Sequence, residues 1–158
     1  MGSGRPGRWD EQSDPSGLLR AIKIAFNAHA GQTDKTGEPY FSHCKRVADA
    51  VEGEDARILA YLHDVVEKGP GWTLERLRNE GFSFTLIDAV DALTKRADED
   101  DREFVTRIAS NDLACPVKVA DLKDNLSQAE KVGSDPSKYE EGLKIIKEMC
   151  ADGTAKRE

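Results

Sequence analysis

From residue 17 onward apolar residues recur at helical spacing almost to the end of the chain, and no segment alternates with period two between hairpin turns. That regularity excludes a sheet-based architecture and points to one all-α domain, a bundle of about seven to eight helices. Leu18, Leu19, Ile22, Ala25 and Phe26 form a stripe that predicts a first helix running out at Gly31, and Gly37-Glu38-Pro39 predicts a loop. Cys44, Val47, Ala48 and Val51 predict a second helix that stops at Gly53. A third, from about Asp55, carries Ile58, Leu59, Leu62, Val65 and Val66 and ends at the breaker Gly69-Pro70-Gly71.

Two later helix starts are marked by side chains able to cap them. Thr73, preceded by Trp72, and Ser83, flanked by Phe82, each have a hydrophobic partner four residues on, the spacing of a hydrophobic staple. Further helices are predicted around Phe104–Ile108, Val117–Ala129 and Tyr139–Cys150. Asp98 to Asp101, after Lys95-Arg96, reads as a loop leading into a solvated helix start. The 158 residues suit one domain, with 1–16 as a disordered leader, 17–152 as the folded unit and 153–158 as a flexible tail.

Composition narrows the partners. A formal net charge of −7, with no basic stripe interleaved with aromatics, argues against nucleic acid. No apolar run is long enough to span a membrane, and the N-terminus lacks the apolar region of a secretory signal. Cys44, Cys115 and Cys150 are few, odd in number and widely spaced, which predicts reduced thiols in a cytoplasmic protein. A small anionic substrate stays compatible with the acidic balance, because one metal ion reverses the local field.

The chemistry concentrates in Leu62-His63-Asp64-Val65, a His-Asp pair inside an almost continuously apolar run. Burying a carboxylate without compensation costs several kcal/mol. Hydrogen bonds could offset that cost, and so could a divalent metal, which favours the ionised carboxylate and the neutral imidazole. His43 early in the second helix, and an acidic residue of Val117 to Asn125, supply further donors. Two imidazoles and two carboxylates from three helices would suit Mn²⁺, Fe²⁺ or Zn²⁺ with positions open to water. Periodicity alone does not choose between Asp121 and Asp124, although Asp121 and Asn125 share a helix face.

The order His43, His63-Asp64, Asp121 resembles the signature of the HD superfamily of metal-dependent phosphohydrolases. Ala28-His29-Ala30-Gly31-Gln32, Lys35 to Tyr40, Leu62 to Glu67 and Lys118 to Asn125 are similar, in order and spacing, to blocks of the hydrolase domain of RelA/SpoT-type alarmone enzymes. The resemblance implies an HD fold with Mn²⁺, or another divalent transition metal, held by His43, His63, Asp64 and Asp121. It implies removal of pyrophosphate from a guanosine 3′,5′-bis-pyrophosphate, with Asp64 and Glu67 as catalytic carboxylates and Glu67 positioning the water. Lys35 and Asn125 match residues that contact phosphate and sugar, and His29 is left a supporting role near the site.

Two positions depart from that pattern. Where the family carries an arginine that packs on guanine, this chain has Asp34, which offers no planar cation and would repel a polyphosphate. After Glu67, where the family has an aspartate, it has Lys68, which could bind a phosphate or pair with Glu67. Hydrolysis of another nucleotide or phosphoester, and a non-catalytic HD module, are therefore the competing expectations.

Overall fold

A computed structural model describes residues 16–157. Nine helical segments follow one another there: α1 (Ser16–Ala28), α2 (Tyr40–Asp49), α3 (Glu54–Leu62), α4 (Val65–Lys68), α5 (Leu74–Asn79), α6 (Phe84–Ala92), α7 (Asp101–Ile108), α8 (Ala114–Val132) and α9 (Ser137–Arg157). Among the described residues there is no strand, only an isolated bridge between Thr33 and Pro39, so the all-α expectation holds. The leader expected over the first residues lies outside the described part, Ser16 apart. The backbone of 153–157, expected as a tail, continues α9.

The centre of the bundle is α3, which packs against α1, α2, α6 and α8. Ala56, Ile58, Leu59, Ala60, Tyr61 and Leu62 are all buried, as an all-round apolar helix requires. α8 runs beside α3 and α2, and α9 closes over α7 and α8. No described helix is long and apolar enough to cross a membrane.

Three expectations need correction. Leu19 and Phe26 are 53% and 62% exposed, whereas Ala21, Ile24, Ala25 and Ala28 are buried. Small residues on the inner face let α1 approach α3 closely, so a methyl added at Gly17 would already meet Ile58 Cδ1 at 3.4 Å. Leu19 and Phe26 fall on the outer side of that approach, while Leu18 and Ile22 of the same stripe pack partly buried against the core. Second, the helix holding His63-Asp64 is not continuous: α3 ends at Leu62, Asp64 adopts φ −112°, ψ 5°, and α4 begins at Val65. Third, Cys115 and Cys150 form a disulfide between α8 and α9, leaving only Cys44 as a free thiol, with its pKa pushed up to about 12 by burial. Their separation of 35 residues hides a proximity created by the α8–α9 hairpin.

Local chemistry sets the remaining joints. Thr73 and Ser83 cap their helices by accepting the amides of Arg76 and Leu86, as expected. Asp100 and Glu103 form a reciprocal capping box at the start of α7. Gly69 follows α4 where a Cβ would lie 2.6 Å from the Val65 carbonyl and 2.8 Å from Ala28 Cβ, so only glycine lets α1 and α4 meet.

Arg107 locks α7 to the end of α6. Its guanidinium donates to both Glu99 carboxylate oxygens at 2.6 and 2.9 Å and to the Thr94 carbonyl at 3.0 Å. This pairing brings the Glu99 carboxyl down to about 2. Glu99→Gln is expected to destabilise the protein at neutral pH by roughly 1 kcal/mol. A depressed carboxylate contributes stability above its unfolded pKa and loses it as pH falls through the folded value. The gap between wild type and variant, measured by thermal melts, should therefore close as pH drops from about 4.5 to about 2.

Candidate metal centre and its cavity

α2, the α3–α4 break and α8 converge on one polar spot in an apolar interior. His43 lies one turn into α2, His63 follows the last residue of α3, Asp64 occupies the break, and Asp121 sits midway along α8. One donor atom from each of these four residues lies within 4.8 Å of all the others. His43, His63 and Asp121 are buried, with exposures of 1, 2 and 6%. The break is what aims the pair. Had α3 continued, successive residues His63 and Asp64 would point about 100° apart around the helix axis.

The hydrogen bonds around the histidines assign each nitrogen a task. His63 Nδ1 donates to the Ala60 carbonyl at 2.6 Å, which leaves Nε2 facing Asp64 Oδ2 at 3.1 Å and Asp121 Oδ1 at 3.2 Å. His43 Nδ1 lies 2.7 Å from Asp124 Oδ2, and its Nε2 lies 2.9 Å from the same Asp121 oxygen. Both imidazoles thus turn Nε2 inward and anchor Nδ1 on a carbonyl or carboxylate. Metal-binding histidines are held in this way. Tyr40 donates to Asp64 Oδ2 at 2.5 Å, and Lys118 Nζ lies 3.1 Å from Asp121 Oδ2.

Charge balance points the same way. Burial opposes ionisation of Asp64 and Asp121, yet His63 for the first, and Lys118 and His63 for the second, hold both carboxyls well below the usual range. Burial likewise opposes protonation of His63 and His43, but the adjacent carboxylates raise both imidazoles. Protons on the imidazoles balance two buried carboxylates. A divalent cation would do the same with neutral imidazoles, and two nitrogens with two oxygens are a donor set such a cation accepts. The residues present fit a divalent metal.

A cavity of about 710 Å³ opens from this cluster. Lys35, Lys68, Lys95 and Lys118 line it together with Glu67, and Leu93, Val105, Leu122 and Ile145 supply an apolar wall. Glu67 and Lys68 form the exposed end of α4, beside the cluster. Lys68 Nζ sits 5.5 Å from the centre of the Tyr40 ring, and no ion pair joins it to Glu67 among the described residues. The pairing considered for these neighbours is absent because Lys68 turns toward the aromatic face. Lys35 Nζ donates to Asn125 Oδ1 at 2.5 Å and lies over the Tyr139 ring. Asn125 Nδ2 in turn donates to Asp121 Oδ1 at 3.1 Å, so the shared helix face does bring both residues to the cavity.

Asp34 behaves differently from expectation. Its side chain is 1% exposed; Oδ1 accepts from Thr36 N, Thr36 Oγ1 and Glu38 N, and Oδ2 from Arg46 at 2.9 Å. It folds its own loop, and its charge is met by Arg46 rather than presented to a ligand. His29 is buried beneath Tyr40, ring centres 4.8 Å apart, with Nδ1 bonded to Gln32 and Nε2 without a partner, so it is only half satisfied.

Sequence reasoning missed Tyr40, Arg46, Gln128 and Tyr139, and it weighed Asp124 as an alternative to Asp121 where the structure sets it behind His43. A signal existed for two of these residues, Asp124 and Gln128. Lys118, Asp121, Asp124, Asn125 and Gln128 recur at three- and four-residue steps, which stacks them on one face of α8.

No family model matches the chain. A probable GTP pyrophosphokinase of Mycobacterium leprae is 34% identical over 122 residues, covering 69% of this chain and 15% of that protein. A guanosine-3′,5′-bis(diphosphate) 3′-pyrophosphohydrolase of Haemophilus influenzae is 38% identical over 76 residues, 46% of this chain and 11% of that protein. The chain thus spans a small fraction of these curated relatives. Among solved structures, that of a metazoan ortholog of SpoT, described as hydrolysing ppGpp, superposes with a TM-score of 0.67 at 22% identity, over 87% of this chain and 84% of the other. In fold and in the segment it shares with these proteins, the chain is an HD-type helical domain related to the RelA/SpoT-type enzymes.

Proposed function

We propose that this domain is a metal-dependent phosphohydrolase that releases pyrophosphate from a guanosine 3′,5′-bis-pyrophosphate. The observation that carries the reading is the cluster of His43, His63, Asp64 and Asp121, of which the last three line a cavity that lysines also line. The relatives named for synthesis or hydrolysis of such nucleotides support the same substrate class. Mn²⁺ is the metal we assign from the family resemblance, and the mixed nitrogen and oxygen donors suit it as they suit Fe²⁺ or Zn²⁺. When bound, the metal neutralises phosphoryl oxygens and acidifies water.

The chain's own residues supply the rest. Glu67, at the cavity edge one helical turn beyond Asp64, orients the attacking water and accepts its proton at a carboxylate oxygen. Asp64 has a dual role, as ligand and as catalytic carboxylate, and Tyr40 fixes its orientation. Lys35 leaves Asn125 to meet a substrate phosphate as a mobile point charge, while Asn125 turns to the sugar. Lys68 adds a second cation at the mouth. We infer a cytoplasmic location from the proposed substrate class; the Cys115–Cys150 disulfide, uncommon in that compartment, does not support it.

A second reading, hydrolysis of a different nucleotide, draws on Asp34. With this carboxylate folded into its loop, that loop offers no guanidinium for a base to stack on. Asp34→Arg would not restore one, because it removes the acceptor of three loop hydrogen bonds and sets two guanidinium groups together. Protein supplied with Mn²⁺ is expected to release pyrophosphate from the guanosine nucleotide and to lose turnover on chelation. Turnover confined to other nucleotides in a panel would favour the second reading. Inactivity across the panel, with no rise in melting temperature on adding Mn²⁺, would leave a non-catalytic module.

A further inference from the structure

The loop that carries Lys35 and the imidazole of His43 are joined by two routes through Asp124, and on one of them Gln128 Nε2 also lies 3.3 Å from His43 Nδ1 itself. In one, Arg46 bridges two carboxylates: its Nε donates to Asp124 Oδ1 at 2.7 Å, and its Nη2 donates to Asp34 Oδ2 at 2.9 Å and Asp124 Oδ2 at 3.1 Å. In the other, Gln128 donates to Asp124 Oδ2 at 2.7 Å and accepts the Lys35 backbone N–H at 3.0 Å. Asp124 itself meets His43 Nδ1 at 2.7 Å. Burial works against its charge, yet His43, Arg46 and Gln128 together hold its carboxyl well below the usual range.

The geometry points to a coupling device: Arg46 and Gln128 act as positioning residues that tie the orientation of His43 to the placement of the Lys35 loop. Neither side chain belongs to the four-residue cluster. Each fixes Asp124 from one side, and a planar guanidinium is suited to spanning two carboxylates at once. Because the loop and the imidazole share the Asp124 carboxylate and the Gln128 amide, strain at either end reaches the other. Cation binding at the cluster and anion binding at Lys35 are therefore linked, and linkage is reciprocal. This inference rests on His43 being a metal ligand.

The test uses the full chain, with calorimetric titration of Mn²⁺ and, separately, of inorganic pyrophosphate with Mn²⁺ present. Arg46→Met and Gln128→Met keep side-chain bulk and remove one route each. Each is expected to raise the Mn²⁺ dissociation constant about tenfold, the usual cost of losing an outer partner of a ligand. Both should also weaken pyrophosphate, and Arg46→Lys, which keeps the charge but cannot bridge, should fall between Arg46→Met and wild type. Should either variant fold poorly, the other carries the test. Weaker pyrophosphate binding with Mn²⁺ affinity within twofold of wild type would mean a simple loop tether and overturn the coupling. A wild-type protein that takes up no Mn²⁺ would instead overturn the metal assignment on which the coupling stands.

Discussion

Asp121→Asn is expected to abolish metal-dependent turnover, lowering kcat/KM by about 10³-fold or more, since a catalytic metal contributes several kcal/mol to the transition state. The size of the effect follows from how many groups share this one carboxylate. Its Oδ1 faces His43 Nε2, His63 Nε2 and Asn125, and its Oδ2 meets Lys118. An amide of the same shape removes the charge and sets an NH₂ group among donors. The Mn²⁺ dissociation constant, read by titration, should rise with the loss of turnover, and the melting temperature should no longer respond to Mn²⁺. Turnover and metal binding that persist in the variant would remove Asp121 from the ligand set and break the assignment of the cluster.

Glu67→Gln should separate chemistry from metal binding. Glu67 makes no hydrogen bond to His43, His63, Asp64 or Asp121 and lies at the exposed edge of the cavity. Its replacement is expected to leave Mn²⁺ affinity and melting temperature close to wild type while kcat falls about 10²–10⁴-fold, the usual contribution of a positioned general base. Steady-state kinetics beside a metal titration provide both readouts. A fall in Mn²⁺ affinity that parallels the fall in kcat would make Glu67 a ligand. An unchanged kcat would make it a surface carboxylate.

Much of this was legible in the sequence. Helical period predicted the class, and the family resemblance carried by the order of His43, His63-Asp64 and Asp121 implied the four side chains that lie together. Thr73 and Ser83 announced their helices because a capping hydroxyl acts within three residues of itself. What stayed hidden depended on tertiary contact. Leu62, Val65 and Val66 keep the apolar pattern unbroken across His63-Asp64, and no glycine or proline marks the joint where the chain turns. Periodicity gives an apolar stripe but not its rotation, so Leu19 and Phe26 looked internal although they fall on the outer side of the close approach of α1 and α3. Asp34, judged by charge alone, seemed hostile to phosphate. Its partner Arg46 lies on the following helix, where no local spacing rule finds it.

The bond between Cys115 and Cys150 closes a covalent ring that takes in nearly all of α8, the turn after it and most of α9. Lys118, Asp121, Asp124, Asn125, Gln128 and Tyr139 are numbered inside that ring, whereas His43, His63, Asp64 and Glu67 come from the open chain before it. The cavity is therefore a seam between a portion of polypeptide that remains looped when unfolded and one that does not. A cation held by all four donors would draw one from within the ring and three from outside, fastening the two portions together at the place where the chemistry occurs.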